Sequence, residues 1–435
     1  MSRLQNNDVV AIVGGGVIGL STAYNLAQRC SNSTWPNVRI KVIEAFSKPF
    51  TAASSTCTGC FHYGFPESQT QPLKPLGKYS FDLWAAEAEE ADFKATTGYR
   101  PQSCFGINPG SGQGLDELPD WVQKASSWNV DTEVLGTYNA VVNPTGVGGW
   151  LTSQCLALGV EILTGLRLVH VSLSTDDKVQ AVTCYAKGGD PAMIRIECKQ
   201  VLLACGPWTP TVYVALFPSS PIHLQWTTDA GDWVTIKNPC PTTQATTAFV
   251  SFANLIGEKL EFAARNDGTI WACGRRTLTA ALPPPGHLNE PDESVIEELS
   301  DRARTWLNWK CNCHAKHASN DFQLISKGRG FRPAAKSGLP TIDEVASSEL
   351  TDSHDGQGPV KKSPSGVFVC WGHGSYGLTL GMGTGRLVSQ LLLGEKPDLD
   401  LSLFALHPSS NGSTASGKAS SALPADGNGA TGPQL

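Results

Sequence analysis

The chain has 435 residues, a formal net charge of -6 at pH 7, and 17% charged against 40% hydrophobic residues. That length allows two or three domains, and the mild acidity leaves no basic footprint for nucleic acid or an anionic membrane surface. Small molecules are the expected ligands. The opening residues "MSRLQNND" lack the apolar core of a secretory signal, and the chain does not close on a peroxisomal SKL. Val201–Thr228 carries no Asp, Glu, Lys or Arg, yet Pro207, Pro210, Pro218 and Pro221 break it too often for a membrane helix. Thirteen cysteines without a framework spacing fit reduced thiols. The expectation is a soluble cytoplasmic protein with no membrane and no nucleic-acid partner.

In chain order, Val9–Val13 is an apolar β run, and Leu20, Ala23, Tyr24 and Ala27 then recur at helical spacing. Val38, Ile40 and Val42 alternate with Arg39 and Lys41 as a strand does, which completes a βαβ unit. "GVGGWLTSQCLALGVEIL" reads as a helix from about Gly149 to Leu158 followed by a strand. "GLRLVHVSL", "VQAVTCYA" and "IRIECKQVLLACG" read as a β meander ending in a buried strand, Val201–Ala204. "GVFVCWGHG" is another buried strand, and Leu387, Val388, Leu391 and Leu392 mark a helix that Gly394 stops as a left-handed cap. From Pro408 the chain is rich in Gly, Ser and Ala with almost nothing large to bury, so disorder is expected.

Gly14, Gly16 and Gly19 form G-x-G-x-x-G between that first strand and helix, and Glu44 ends the second strand. The first glycine allows the tight turn, the second lets the backbone approach a pyrophosphate, and the third lets helix and strand pack closely. A carboxylate at Glu44 suits ribose hydroxyls and repels the 2′-phosphate of NADP. The motif by itself leaves FAD and NAD both open.

The opening unit, "VLLACGPWTP", and the late run "GRGFRPAAKSGLPTI…VFVCWGHGSYGLTLGMGTGRLVSQLL" together resemble the superfamily of D-amino-acid oxidase, glycine oxidase and sarcosine oxidase. These are FAD-dependent amine oxidoreductases. The resemblance implies an α/β fold: a discontinuous Rossmann-like FAD-binding domain of the glutathione-reductase type, with an inserted mixed-sheet α+β substrate domain. The implied divisions are 1–83, 144–216 and 322–407 for FAD, 84–143 and 217–321 for substrate, and 408–435 as a disordered tail. It implies FAD contacts at Gly14, Gly16, Val17, Ile18, Gly19, Glu44, Ser54, Ser55, Gly206, Trp208, Gly372, Gly374, Ser375, Tyr376, Gly377, Leu378 and Thr379. In such proteins the "GHGSYGLTL" turn lies against the flavin ring, where backbone N–H groups and a helix N-terminus face the end that gains negative charge on reduction.

On the substrate side, Arg332 stands where relatives carry an arginine that forks onto a substrate carboxylate. His62 and Tyr376 are the other candidates for substrate or ring contact, with packing as the competing role for both. The familiar Pro-Asp after that arginine is replaced by Lys336 and Ser337. Trp271 falls near the position of the lysine that helps sarcosine oxidases react with oxygen, and Arg329 occupies the position of their flavin-attaching cysteine. Attachment through His62, Cys57 or Cys60 stays open. Cys311, Cys313, His314 and His317 lie too close in sequence to surround a structural zinc in the usual two separated pairs, so no metal is expected.

The implied activity is oxidation of a carbon–nitrogen bond in an amino acid or amine-bearing metabolite to an imine. Hydride passes to flavin, with molecular oxygen as acceptor and hydrogen peroxide released. Two rivals stand beside it: an FAD dehydrogenase of a 2-hydroxy acid or biosynthetic intermediate, and a nucleotide-binding scaffold without catalysis.

Overall fold

A computed structural model describes residues 4–31, 35–65, 68–109, 114–124, 130–134, 139–186, 192–240, 246–251, 259–310, 321–351 and 363–408. The tail from 409 and the Cys/His cluster at 311–317, both singled out above, lie outside the described residues.

Val9–Val13 (β1) leads into Val17–Cys30 (α1) and Arg39–Glu44 (β2), the βαβ order expected from the sequence. Cys60–His62 (β3), Lys74–Glu87 (α2), Ala91–Thr97 (α3) and Arg100–Pro101 (β4) follow. Next come Ser103–Pro109 (β5), Val130–Val134 (β6), Asn139–Val141 (β7), Pro144–Ala157 (α4) and Glu161–Thr164 (β8). Leu166–Leu173 (β9), Val179–Ala186 (β10) and Met193–Glu197 (β11) are the antiparallel meander. Gln200–Leu203 (β12) was expected to finish that meander; it leaves it and pairs in parallel with β1. The middle of the chain holds Thr209–Leu216 (α5), Trp226–Thr227 (β13), Ala230–Lys237 (β14), Thr246–Ser251 (β15), Lys259–Ala264 (β16), Thr269–Thr277 (β17) and Glu293–Trp306 (α6). The last elements are Leu324–Phe331 (β18), Ala334–Ala335 (β19), Thr341–Ala346 (β20), Pro364–Trp371 (β21) and Gly377–Leu393 (α7).

The main sheet runs β20-β21-β12-β1-β2-β8, parallel except for the β20–β21 pair. Its strands come from three separated stretches of chain, so the nucleotide fold is discontinuous as the resemblance implied. Period-two alternation sorts β1 between two cores. Val10 and Ile12 pack with α1, α4 and α7, whereas Ala11 and Val13 pack with the meander and Tyr213 of α5.

Helix α7 is the neighbour of both α1 and α2 because its glycines leave no side chain in the way. A Cβ on Gly381 would lie 2.5 Å from Val17 Cγ2, one on Gly383 2.8 Å from Ser80 Cβ, and one on Gly385 2.4 Å from the Ser21 carbonyl carbon. Those three glycines therefore belong to helix packing, and only the turn before them reaches the cavity described below. Gly394 does end α7 with φ 73°.

The second large sheet has the order β18-β14-β17-β16-β15-β5-β6. One face is a core of Val234, Ile236, Ala248, Phe262, Ile270 and Ala272 closed by Val295, Ile296 and Leu299 of α6. Strand β18 was expected with the nucleotide-binding segment from 322; its hydrogen bonds go to β14, which puts it in this sheet. In the other direction, Trp84 and Phe93, expected beyond the boundary at 84, are fully buried in the core beneath α1 and α7. Among the described residues no helix is long and apolar enough to cross a membrane.

Candidate active site

The end of β1 presses backbone against backbone. Gly14 has φ +109°, and a Cβ there would stand 2.3 Å from the Ala204 carbonyl oxygen; a Cβ on Gly19 would stand 1.9 Å from the Gly14 carbonyl oxygen. Only glycine fits either place. Helix α1 starts at Val17 without a side-chain cap on Gly16, and the Val17 N–H donates to Ser54 Oγ at 3.0 Å. Glu44 reaches back from β2: Oε2 accepts the Gly15 N–H at 2.7 Å and Oε1 accepts the Phe46 N–H at 2.8 Å. Burial pushes its carboxyl up, and those two donors oppose the shift.

At the other end, β21 stops at Trp371, the turn 372–376 follows, and α7 begins at Gly377, again without a side-chain cap. The N–H groups of its first turn therefore have no partner within the helix. Gly374, at φ +56°, would place a Cβ with nothing within 4 Å. The two glycine turns share one cavity of about 860 Å³, with Gly14, Gly16, Val17, Ile18, Glu44 and Ser54 at one side and Gly374, Ser375, Tyr376, Gly377 and Leu378 at the other. Gly206 and Trp208 also border it, and the Trp208 Nε1–H is tied to the Pro283 carbonyl at 2.6 Å.

Four residues expected at the cofactor stand behind the wall instead of lining it. Gly19 packs on Gly14, as above. Ser55 Oγ donates to the Thr51 and Ala52 carbonyls, each at 3.0 Å. Gly372, φ +87°, would place a Cβ 3.0 Å from Ala335 Cβ. Thr379 Oγ1 accepts the His62 N–H and donates to the Cys60 carbonyl, each at 3.3 Å, and so fastens the late turn to β3.

The cavity's far wall is the second face of the seven-stranded sheet. Because β16 and β17 send Leu260, Phe262, Ile270 and Ala272 into the core, alternation turns Glu261, Trp271 and Cys273 the other way, into the lining. Trp233, Cys273 and Glu261 are register partners on three adjacent strands. Trp271 is 4% exposed, and its Nε1 has no hydrogen-bond partner among the described residues. Sequence reasoning picked out Trp271 only; Glu261, Trp233 and Cys273 were missed, although "KLEFAA" against "TIWAC" carries the period-two signal.

Arg332 lines the cavity just beyond β18, with its Nη1 3.0 Å from Asp229 Oδ1. Asp229 is 3% exposed and also takes a fork from Arg276 at 3.0 and 2.7 Å. Arg329 points elsewhere and forks onto Asp232, both contacts at 2.7 Å. The His62 ring meets Tyr376 edge-on at 5.6 Å, and Phe65 meets Tyr376 at 4.8 Å. His373, expected only as part of the turn, is 2% exposed, with Nε2 3.2 Å from Thr384 Oγ1.

Cys57 and Cys60 are free thiols in the lining, and both titrate upward, Cys57 through burial and Cys60 first through the neighbouring Cys104 thiol. Cys240 is disulfide-bonded, a departure from the expectation of wholly reduced cysteines. No cluster of three His, Cys, Asp or Glu suited to a metal occurs among the described residues.

A family model described as FAD dependent oxidoreductase matches residues 9–391. A Schizosaccharomyces pombe protein described as an oxidoreductase is 23% identical over 419 residues, 90% of this chain and 95% of its own length. The glycine oxidase of Geobacillus kaustophilus is 22% identical over 421 residues, 91% of this chain and 96% of its own. A crystal structure of that glycine oxidase superposes with a TM-score of 0.66 at 20% identity, covering 92% of this chain and 99% of the other. Iminodiacetate oxidase from Chelativorans superposes with a TM-score of 0.65 at 15% identity, covering 91% and 98%. At such identities the superpositions speak for the fold.

Proposed function

This chain belongs to the FAD dependent oxidoreductase family, and from that premise we propose that it oxidises the carbon–nitrogen bond of a small amino acid or amine that carries a carboxylate. FAD fits the residues present. A first glycine turn with a helix N-terminus and a buried carboxylate supplies phosphate and ribose partners, and the open space over Gly374 and Gly206, where a Cβ would meet nothing within 4 Å, is room for a flat ring. The residues proposed to hold it are Gly14, Gly16, Val17, Ile18, Glu44, Ser54, Gly206, Trp208 and Gly374–Leu378, with Gly19, Ser55, Gly372 and Thr379 shaping the wall.

FAD, when bound, supplies the acceptor for the hydride that leaves the carbon next to nitrogen. The protein's own part is binding and orientation. Among the described residues Arg332 spends one side-chain donor, on Asp229, and a guanidinium has five in a fixed plane, so the rest of the fork can take a carboxylate. Asp229, shared with Arg276, holds Arg332 in place. Trp233 and Trp271 wall the site with apolar surface, which excludes water and strengthens every charge contact inside. His62 and Tyr376 meet edge to face on the other side and set the substrate's approach to the turn. Oxygen is the proposed final electron acceptor, with hydrogen peroxide as the by-product.

The observation that carries this reading is that Arg332 and the Gly374–Leu378 turn border one cavity with the early glycine turn. The test is anaerobic titration of the FAD-loaded protein with panels of amino acids, secondary amines and 2-hydroxy acids, following loss of the oxidised flavin absorbance. Bleaching by an amine, with oxygen uptake and peroxide on readmitting air, is expected. Bleaching by hydroxy acids alone would overturn it.

A further inference from the structure

Among the described residues, Glu261 is the one carboxylate on the far wall of the cavity, and the binding scheme above leaves it idle. Its Oε2 accepts the Thr58 hydroxyl at 2.7 Å with the Cys273 thiol 3.8 Å away, and Oε1 takes no hydrogen bond among the described residues. Thr58 and Cys273 line the cavity beside it. Arg332 borders the same space. The two charges feel each other but form no ion pair, since Arg332 is tied to Asp229 and Glu261 to Thr58. A guanidinium and a carboxylate that share a cavity without closing on each other are the complement of a zwitterion.

We propose that Glu261 receives the ammonium group of the substrate and takes one proton from it. The inference rests on the amine reading above and adds the partner that reading lacks. One N–H bond of the ammonium breaks, its proton moves to Oε1, and the electron pair stays on nitrogen. Glu261 becomes the neutral acid, and the amine is left neutral, as loss of hydride from the neighbouring carbon requires. A 2-hydroxy acid would offer Glu261 no charge, and a second substrate carboxylate would be repelled by it.

The titratable groups facing Glu261 agree with this. Cys273 comes from the adjacent strand, Cys57 from the segment leading into β3, Cys60 from the start of β3, and Arg332 from just beyond β18. Burial pushes the Cys57 and Cys273 thiols up, and the Cys104 contact with burial does the same for Cys60, so all three stay neutral near pH 7. Arg332 is the cation whose charge couples to the acid, and Trp271, whose Nε1 in the lining has no hydrogen-bond partner among the described residues, adds a donor but no charge.

The test uses two ligands that cannot be oxidised and differ by one ammonium group: α-methylphenylglycine and 2-phenylpropanoate. Each is titrated calorimetrically into the FAD-loaded enzyme at pH 7.5, in two buffers of different ionisation enthalpy. The wild type is expected to prefer the amino ligand at least about tenfold, the range of a hydrogen bond to a charged group, and to release no net proton on binding it. Glu261→Gln is expected to erase that preference and leave 2-phenylpropanoate within about threefold of wild type, while Glu261→Asp restores part of it. Unchanged preference in Glu261→Gln, no preference in the wild type, or no binding of either ligand overturns the proposal. The first two outcomes, with amines still bleaching the flavin, leave the amine reading standing; bleaching by hydroxy acids alone removes both.

Discussion

Glu44 Oε2 accepts the Gly15 N–H at 2.7 Å, so the acid that ends β2 also braces the glycine turn after β1. One side chain thus couples the shape of the first glycine turn to the end of β2, where the ribose contact is proposed. Replacement by Gln keeps an acceptor for one of the two N–H groups and removes the charge. Glu44→Gln should weaken FAD binding by about ten- to a hundredfold, since hydrogen bonds to a charged group are worth roughly 1.5–3 kcal/mol. Fluorescence titration of the apoprotein with FAD measures it. Unaltered affinity would remove Glu44 from the site.

Two glycines should fail in opposite ways. Gly19→Ala drives a Cβ to 1.9 Å from a backbone oxygen that cannot move aside, so the fold itself should suffer, by about 3 kcal/mol or more. Gly374→Ala meets no atom within 4 Å, and only its positive φ costs stability, about 1–2 kcal/mol. The space its methyl enters is the space proposed for the ring. Thermal melts of both apoproteins, beside their FAD content as purified, separate the cases. Gly19→Ala should melt early, whereas Gly374→Ala should melt near wild type and carry little flavin.

How much of this was legible in the sequence follows the range of the forces involved. The βαβ unit, Gly14, Gly19 and Glu44 are local: strand period, helix period and a turn that admits only glycine all lie within forty residues of one another. Gly381, Gly383 and Gly385 continue the glycine-rich run that opens with the late turn, but what excludes a side chain there is α1 and α2, which no local pattern reveals. The same holds for β18, assigned by its neighbours in sequence and claimed instead by β14 across the sheet. Glu261 stayed hidden because it looks like the solvent face of an ordinary amphipathic strand; which of two faces meets a cavity depends on where the other domain sits.

Arg332→Lys keeps the charge and loses the fork. A lysine ammonium cannot hold Asp229 and a carboxylate in one plane. The expected result is a fall in kcat/KM of about ten- to a thousandfold, borne mainly by KM, with FAD content unchanged because Asp229 and Arg276 still support the wall. Steady-state kinetics on the amine that bleaches the flavin best decides it. An unchanged KM would mean that the guanidinium serves only Asp229.

His373 offers a prediction about pH. It is 2% exposed, and burial pushes its imidazole down to about 3, against an ordinary value near 6.5. The folded protein therefore keeps this ring neutral where the unfolded chain protonates it. Between about pH 6.5 and 3 the unfolded state binds the extra proton, so the contribution of His373 is intact above that window and erodes as pH falls, by about 1.4 kcal/mol per unit. His373→Asn has no such proton to bind. The stability gap between wild type and variant should narrow by about 2 kcal/mol between pH 7.5 and pH 5, because other groups titrate alike in both. Urea unfolding of the FAD-saturated proteins at the two pH values measures the gap. Parallel losses would show that the ring protonates in place, and the turn beside the cavity would then carry a charge that the buried, uncharged contact with Thr384 argues against.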